Sequence, residues 1–374
     1  MDRKLLRIWL SKRVIGKEAF AVILEEYFGT IEAVYEATSE EYLKVDGVTS
    51  SLAAALSDKN LDTAKEIVKN CEQLGIDILI PEDKYFPHIL LTLSQPCTVL
   101  YSLGTVPDWN EIFGITIVGM READEYGQTA TERISSELSQ KGVTVISGMA
   151  RGIDSYALRS AVRLGAPTVA VMGCGLDTAY PPENLGLMND IIKNGCALSE
   201  YPPFTPPKPE NFPKRNRIMC ALGDGVLAVE ARKKSGTLIT ARYARETGKP
   251  LFAVPGSIFS KKCEGTNSLI KDGAKAVSCA EDILDEFPIL KNRLKPLEKM
   301  EEVKAEPKEE KVTIEGLSDE ENLIISYLRQ KDMHIEELAA KTNFSITKLN
   351  GMLTMLEIGG YIKKLAGNNY KFNV

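Results

Sequence analysis

Short apolar runs alternate with helical stretches through the middle of the chain, from residue 112 to residue 287. The runs are nearly continuous in apolar residues, which is typical of strands covered on both faces. They occupy 115–119, 143–147, 168–173, 196–200, 226–230 and 251–255, with helical spacing at 126–140, 155–164 and 238–247. This alternation predicts an α/β fold, an extended Rossmann-like core with a doubly wound parallel sheet. Ligands of such sheets bind beyond the carboxyl ends of the strands.

The first 75 residues follow a different pattern, with apolar residues at helical spacing, as in Leu6 and Leu10. This spacing predicts a small helical domain over residues 1–75. Its turn at Gly47 resembles the glycine turn of SAM-like and helix-hairpin-helix DNA binders, although a purely structural turn between helices has the same composition. Residues 76–111, with an apolar run and several prolines, are interpreted as a connector into the core.

The C-terminal part begins with a charged stretch. Residues 288–316 contain few large apolar side chains and several prolines, which predicts a flexible linker. From residue 317 to residue 374, three helical patterns and a short β-like ending predict a winged-helix domain. Its third helix has Lys348 as its only cation, whereas a reader of duplex DNA makes several phosphate contacts. A regulatory or protein-contact role is therefore at least as good an interpretation.

Composition excludes several classes of function. The seven cysteines are scattered and never form C-x-x-C, which argues against a disulfide framework or a zinc knuckle and favours a reducing cytoplasm. The two histidines, His88 and His334, leave little material for metal or acid–base catalysis, so we expect no metal site. The N-terminus shows neither a signal peptide nor a membrane span.

The distribution of charge matters more than its sum. The formal net charge of -6 speaks against a nucleic-acid partner. Residues 201–250, however, hold ten Lys and Arg against four Asp and Glu. This local surplus of cations can attract phosphates despite the acidic remainder, although an ordinary solvated face has the same composition.

Several glycine-containing loops follow the predicted strands. One such loop, residues 147–154, has the sequence SGMARGID. Its glycines Gly148 and Gly152 allow the backbone to approach a ligand closely, and the N-terminus of the following helix presents free N–H groups that suit a phosphate. Arg151 can add a charge-assisted contact to the same phosphate. The turn Ser235-Gly236-Thr237 opens a helix that carries Arg242, and Gly119-Met120-Arg121 ends the first strand of the core. None of these loops has the G-x-G-x-x-G or G-x-x-x-x-G-K-[ST] spacing, so we expect no NAD, no ATP and no other cofactor.

The most unusual segment is NFPKRNR, residues 211–217. It combines three cations, an aromatic ring and two amides just before an apolar helix. Cations bind phosphates, and aromatic or amide groups bind unstacked bases, with stacking worth about 1–3 kcal/mol per base. The segment therefore indicates a single-stranded nucleic acid as ligand, whereas the alternative makes Phe212 a core anchor and Asn216 a helix cap.

These motifs resemble one family closely, the DNA-processing protein A family, also called Smf. Between residues 117 and 274 the chain has IVGMR, SGMARGID, AVMGCGLDTAYPPEN, LSEYPP, NFPKRNRIM, SGTLITARYA, FAVPG and EGTNSLIKDGA in the order of the family. The resemblance implies a non-catalytic protein that binds single-stranded DNA, protects it from nucleases and loads RecA onto it in transformation and recombination. It also implies displacement of the single-strand-binding protein, and a homodimer.

The predicted DNA-binding residues come from the motifs described above. They are Arg121, Gly148, Arg151, Gly152, Phe212, Lys214, Arg215, Asn216, Arg217, Ser235, Gly236, Thr237 and Arg242. The chain departs from the family pattern at Met120, where serine is common, and at Leu158, where histidine is common. Neither change removes a cation, and the second also removes a histidine from consideration as a catalyst.

Two other functions remain open from the residues alone. The lysine-decarboxylase-like phosphoribohydrolases have a similar core and a loop P-G-G-x-G-T-L-x-E, but Thr240 stands here where their catalytic glutamate does, and a hydroxyl cannot replace that carboxylate. We interpret Glu230 as a structural carboxylate. A protein that only holds other proteins together is the second alternative, and it predicts binding insensitive to salt, whereas DNA binding weakens steeply as salt rises.

Overall fold

The structure, a computed structural model, describes residues 2–292, 294, 296–297, 317–329, 333–342, 344–365 and 367–373. The chain divides into two compact units, Met1–Glu298 and Lys299–Val374. None of the described helices combines the length and the apolar character that a membrane span requires.

A nine-stranded sheet forms the centre of the first unit. Its strands are β1 (Asp77–Leu79), β2 (Leu100–Gly104), β3 (Gly114–Val118), β4 (Thr144–Ser147), β5 (Thr168–Met172), β6 (Cys196–Ser199), β7 (Gly225–Ala228), β8 (Leu251–Ala253) and β9 (Lys275–Ala276). Their order is β1-β2-β6-β5-β4-β3-β7-β8-β9. The strands from β6 to β9 in that order pair in parallel, so the predicted α/β core with a parallel sheet is confirmed.

Helices cover both faces of the sheet. They are α7 (Glu125–Gln140), α8 (Ile153–Arg163), α9 (Leu185–Asn194), α10 (Asn211–Leu222), α11 (Thr237–Glu246), α12 (Glu264–Lys271), α13 (Ala280–Leu284) and α14 (Pro288–Lys291). The apolar side chains of α7, α8 and α9 form one core with the sheet, and those of α10, α11 and α12 form another on the opposite face. Burial on both faces explains why the strands read as continuous apolar runs.

The segment that the sequence analysis interpreted as a connector, 76–111, contributes two strands of the sheet. β1 pairs with β2, and β2 pairs with β6, both antiparallel. A short 3-10 helix, His88–Thr92, lies between them. The pattern did not predict these strands because Ile78 is the only buried residue of β1, which lies at the edge of the sheet.

The N-terminal residues form six helices, as their spacing predicted. They are α1 (Arg3–Arg13), α2 (Phe20–Phe28), α3 (Ile31–Glu36), α4 (Ser39–Tyr42), α5 (Ser50–Ser57) and α6 (Asp62–Leu74). Threonine hydroxyls cap three of these helices at their N-termini, at Thr30, Thr38 and Thr49. Arg7 is buried and forms ion pairs with Glu25 at 2.5 Å and with Glu82 at 2.8 Å, which ties the helices to the segment after β1.

The second unit contains three helices and a small sheet among its described residues. The helices are α15 (Asp319–Leu328), α16 (Ile335–Thr342) and α17 (Ile346–Ile358), and the strands are β10 (Met333–His334), β11 (Ile362–Lys364) and β12 (Asn369–Phe372). This order confirms the predicted winged helix. The predicted linker, 288–316, starts within α14, and most of it lies outside the described residues.

Candidate functional site

A cleft of about 470 Å³ opens at the carboxyl ends of β3 and β7. From β3 the chain adds strands on one side through β4, β5 and β6, and then returns to the other side of β3 with β7. The loops after β3 and β7 therefore leave in opposite directions and open a crevice, the place where open α/β sheets bind ligands. Its walls come from residues 119–122, from the start of α10, and from residues 232–237 with the start of α11.

Cations outnumber carboxylates in this cleft. Arg121, Arg215, Arg232 and Lys234 line it, against Glu122 and Asp154. The side chains of Arg121 and Lys234 are exposed, and the guanidinium of Arg232 lies 3.7 Å from the carboxylate of Glu122 at the surface. The exposed cations can contact an anion that enters the cleft.

Arg215 forms the floor of the cleft. Its side chain is only 3% exposed, and its Nη1 donates hydrogen bonds to the carbonyl oxygens of Gly148, at 2.8 Å, and of Val171. Burial lowers the pKa of the Arg215 guanidinium, and the neighbouring Asp154 opposes that effect. A Cβ at residue 148 would lie 2.5 Å from this guanidinium, so only glycine fits there.

The loop between β4 and α8 is tied to the loop that follows β3. Gly152 has a φ of 74°, and the N–H of Ile153 donates to the carbonyl of Met120 at 3.1 Å. A carboxylate oxygen of Asp154 accepts the N–H of Ala150 at 3.4 Å and so folds back onto the loop. Gly152 therefore allows close packing between the two loops, whereas Gly148 allows the close approach of the Arg215 guanidinium.

The turn before α11 forms a third wall. The hydroxyl of Ser235 accepts the backbone N–H of Thr237 at 3.2 Å and donates to its hydroxyl at 3.0 Å. Thr240, one turn further along, has a buried hydroxyl with no hydrogen-bond partner in the part of the chain that the structure describes. Because an unsatisfied buried hydroxyl is costly, Thr240 is suited to donate to an oxygen of a bound anion.

The structure brings together seven of the residues predicted from the sequence. The cleft is lined by Arg121, Phe212, Arg215, Asn216, Ser235, Gly236 and Thr237. The ring of Phe212 is half-buried between Arg121, whose Cζ lies 5.3 Å from the ring centroid, and Tyr180, whose ring centroid lies 5.3 Å away. Its position fits the alternative of an anchor better than that of a free stacking surface.

Other predicted residues lie outside the cleft. Gly148 and Gly152 lie behind its wall. Arg151 is exposed and pairs with Glu183, and Arg242 lies 3.4 Å from Glu246 on the surface of α11. Lys214 is exposed and lines a separate, smaller cavity. Their contact with DNA stays a prediction.

Arg217 is held by partners within the protein. It is 3% exposed, its Nη2 donates to Glu200 at 2.7 Å, and its Nε donates to the carbonyl of Gln95 at 2.9 Å. Helical periodicity places Lys214 and Arg217 three residues apart on one face of α10, away from the face that lines the cleft. These contacts favour a structural role for Arg217, and its contact with DNA stays a prediction.

The sequence analysis did not select four charged residues and one threonine that line the cleft. They are Glu122, Asp154, Arg232, Lys234 and Thr240. Asp154 lies in the motif SGMARGID but was given no role in binding, and Thr240 was interpreted only as standing in place of a catalytic glutamate. Arg232 and Lys234 gave a signal, since they stand beside the Ser-Gly-Thr turn, but charge alone did not separate them from a solvated loop.

We expect binding of an anion in the cleft to strengthen as pH falls through about 6. Burial raises the pKa of Asp154 to about 6, against the opposing charges of Arg215 and Arg121. Below that pH the carboxyl is neutral and no longer repels a phosphate, so affinity for a single-stranded oligonucleotide should rise about three- to tenfold between pH 7 and pH 5. Asp154→Asn should bind equally well at both values; a variant that keeps the full pH dependence would contradict the assignment.

Comparison with known proteins finds one family. Residues 77–288 match the family of DNA recombination-mediator protein A, and residues 307–368 match the DprA winged helix domain. The protein Smf of Synechocystis is 29% identical over 378 residues, 93% of each chain.

Solved structures of the same family are similar to this chain. The X-ray structure of DNA processing protein A from Streptococcus pneumoniae is 28% identical, covers 77% of this chain and 99% of its own, and has a TM-score of 0.68. A structure of DNA processing protein A from Helicobacter pylori, which binds single-stranded DNA, is 31% identical, covers 56% of this chain and 94% of its own, and has a TM-score of 0.51.

Proposed function

The chain belongs to the DNA recombination-mediator protein A family, and we propose that it binds single-stranded DNA, without catalysis, in the cleft between β3 and β7. The observation that carries this proposal is the convergence of Arg121, Arg232 and Lys234 at the switch point of the sheet. Two separate segments of the chain, residues 118–122 and 232–240, supply these cations and the hydroxyls beside them. Phosphate contacts of this kind hold a strand without reading its sequence.

The finer role follows from the family. We propose that the protein protects incoming single strands in the cytoplasm, displaces the single-strand-binding protein and loads RecA, as a homodimer, during transformation and recombination. The similarity to a protein from Helicobacter pylori that binds single-stranded DNA supports the first step.

Two residues, Thr240 and Glu230, support a function without catalysis. Thr240 occupies the place of the glutamate that phosphoribohydrolases use, and its hydroxyl lines the cleft. Glu230 is fully buried, its Oε2 accepts the N–H of Asp124 at 3.3 Å, and burial raises its pKa to about 7. Because Glu230 does not line the cleft, it has no contact with a ligand there and acts as a structural carboxylate.

The proposal is tested by fluorescence anisotropy with labelled oligothymidylate and a duplex of equal length. We expect preference for the single strand, and a salt dependence of the binding constant of about −0.7 in log–log slope for each phosphate contacted. Arg121→Ala should lower affinity about tenfold, since it removes a charge-assisted contact, and should make the slope shallower.

Arg133→Ala is the matched control for that experiment. Arg133 is an exposed arginine that forms an ion pair with Glu137 and lines neither cavity. The Arg133→Ala variant should bind the oligonucleotide with the same affinity as the unchanged protein. Equal loss in both variants, or binding that ignores salt, would instead favour a protein that only assembles other proteins.

A further inference from the structure

A second cavity, of about 170 Å³, lies between the N-terminal helices and the sheet. Its lining comes from the end of α1, from the segment before β2, from the end of β6 and from α10. The charged and polar groups in this lining include Lys12, Glu18, Tyr201, Lys214 and the Arg217–Glu200 pair. Nothing in the proposed cleft accounts for these groups.

Lys12 is a half-buried cation without a counter-ion. Its ammonium forms no ion pair and no hydrogen bond with any residue that the structure describes, and burial lowers its pKa. Removing an ammonium from water without compensation is unfavourable. A bound anion would supply the missing negative charge.

The other groups of the cavity leave an excess of donors. Glu200 neutralises Arg217, and the carboxylate of Glu18 accepts the N–H of Gly16 at 2.8 Å. Lys214 forms no ion pair within the described part of the chain. The phenolic oxygen of Tyr201 is buried and forms no hydrogen bond of normal geometry with the described residues. Two ammonium groups and one hydroxyl are thus available.

Helix α10 connects this cavity to the cleft. Phe212, Arg215 and Asn216 line the cleft, whereas Lys214 and Arg217 line the cavity. Both sets lie within two turns, about 11 Å along the helix axis. Lys214 therefore lies on the same helix as these three residues of the cleft, and Lys12 lines the same cavity as Lys214.

We propose that the cavity is a second phosphate subsite for the same DNA strand, in which Lys12, Lys214 and the hydroxyl of Tyr201 hold one phosphodiester group. The cavity, of about 170 Å³, is smaller than the ~300–1,000 Å³ pockets that hold drug-sized ligands, and the ammonium groups in its lining suit a phosphate. This inference rests on the proposed function, since it extends the DNA path from the cleft onto the N-terminal helical region.

The test compares Lys12→Gln, Lys214→Gln and the double variant with the unchanged full chain. Anisotropy is measured with oligothymidylates of about 5 and about 20 nucleotides, lengths within and beyond a single compact site. For the long oligonucleotide the double variant should lose about tenfold in affinity and about 0.7 in salt slope, because one phosphate contact is lost. For the short one, which the cleft alone can hold, affinity should stay unchanged.

Lys69→Gln is the control, because Lys69 is an exposed lysine of α6 that lines neither cavity. Equal affinity of the double variant and the unchanged protein for the long oligonucleotide would overturn the second subsite. If the unchanged protein bound neither oligonucleotide, the proposed function would fall, and the second subsite with it.

A second measurement needs no substitution. Lysines of the unchanged protein are acetylated briefly with acetic anhydride, and the modified positions are quantified by mass spectrometry. The long oligonucleotide should protect Lys12 and Lys214 at least several-fold, the short one should not, and Lys69 should react equally throughout. Modification of Lys12 at the same rate with and without the long oligonucleotide would overturn the proposal.

Discussion

Replacing Arg215 by Met should lower the free energy of unfolding by about 2–4 kcal/mol, the cost of removing a buried cation that donates hydrogen bonds to two carbonyl groups. The substitution leaves Asp154 as a buried carboxylate without its nearby cation, and it leaves the carbonyls of Gly148 and Val171 without their donor. Because Arg215 also fixes the floor of the cleft, binding of single-stranded DNA should be lost. Urea unfolding at about pH 7.5 measures the stability.

A partner variant and a control sharpen this prediction. Asp154→Asn combined with Arg215→Met should recover part of the lost stability, because the amide carries no buried charge that the arginine would have to offset. Arg163→Met, which changes an exposed arginine at the end of α8, should alter stability by less than about 0.5 kcal/mol. If Arg215→Met unfolded at the same urea concentration as Arg163→Met, the buried arginine would not hold the loop as described.

Gly152→Ala should destabilise the protein by about 1–3 kcal/mol through its backbone conformation alone, since its φ of 74° suits only glycine well. In addition, the new Cβ would lie 2.2 Å from the carbonyl oxygen of Met120 and 2.6 Å from that of Arg121. The loop after β3 must therefore move, and Arg121 with it. We expect affinity for single-stranded DNA to fall more than about tenfold, by anisotropy, together with a lower unfolding midpoint.

Gly186→Ala provides the comparison for this variant. Gly186 lies in α9, where a Cβ would meet nothing within 4 Å, so alanine should be neutral or add up to about 1 kcal/mol through helix propensity. A Gly152→Ala protein as stable and as tight in binding as Gly186→Ala would show that the contact between the two loops is unimportant.

The pattern of apolar residues was sufficient to predict the strands in the core of the fold. All six apolar runs became strands β3 to β8, because strands buried on both faces have no polar position to obscure them. β1 was missed for the opposite reason: it has three residues, lies at the edge of the sheet and is partly exposed. β2 has three buried residues, but its antiparallel pairing with β6 depends on residues far away in sequence.

The site was predictable only in part. The loops converge because the sheet topology brings the ends of β3 and β7 together, and that topology followed from the β–α alternation. The orientation of the cationic side chains could not be predicted from the sequence. Arg215 and Arg217 are two residues apart and identical in type, yet one supports the cleft and the other pairs with Glu200. Only the rotation of α10 about its axis distinguishes the two arginines, and the amino-acid composition of the segment does not reveal that rotation.

The position of β7 beside β3 has a consequence for how the protein is made. On the ribosome β3 emerges about a hundred residues before β7, and until β7 arrives one side of β3 is an unpaired edge. The nascent chain thus exposes an apolar, unpaired strand edge while the second wall of the cleft is still unsynthesised. Insertion of β7 closes that edge, and residues 232–240, which follow β7 in the chain, then complete the proposed DNA-binding cleft.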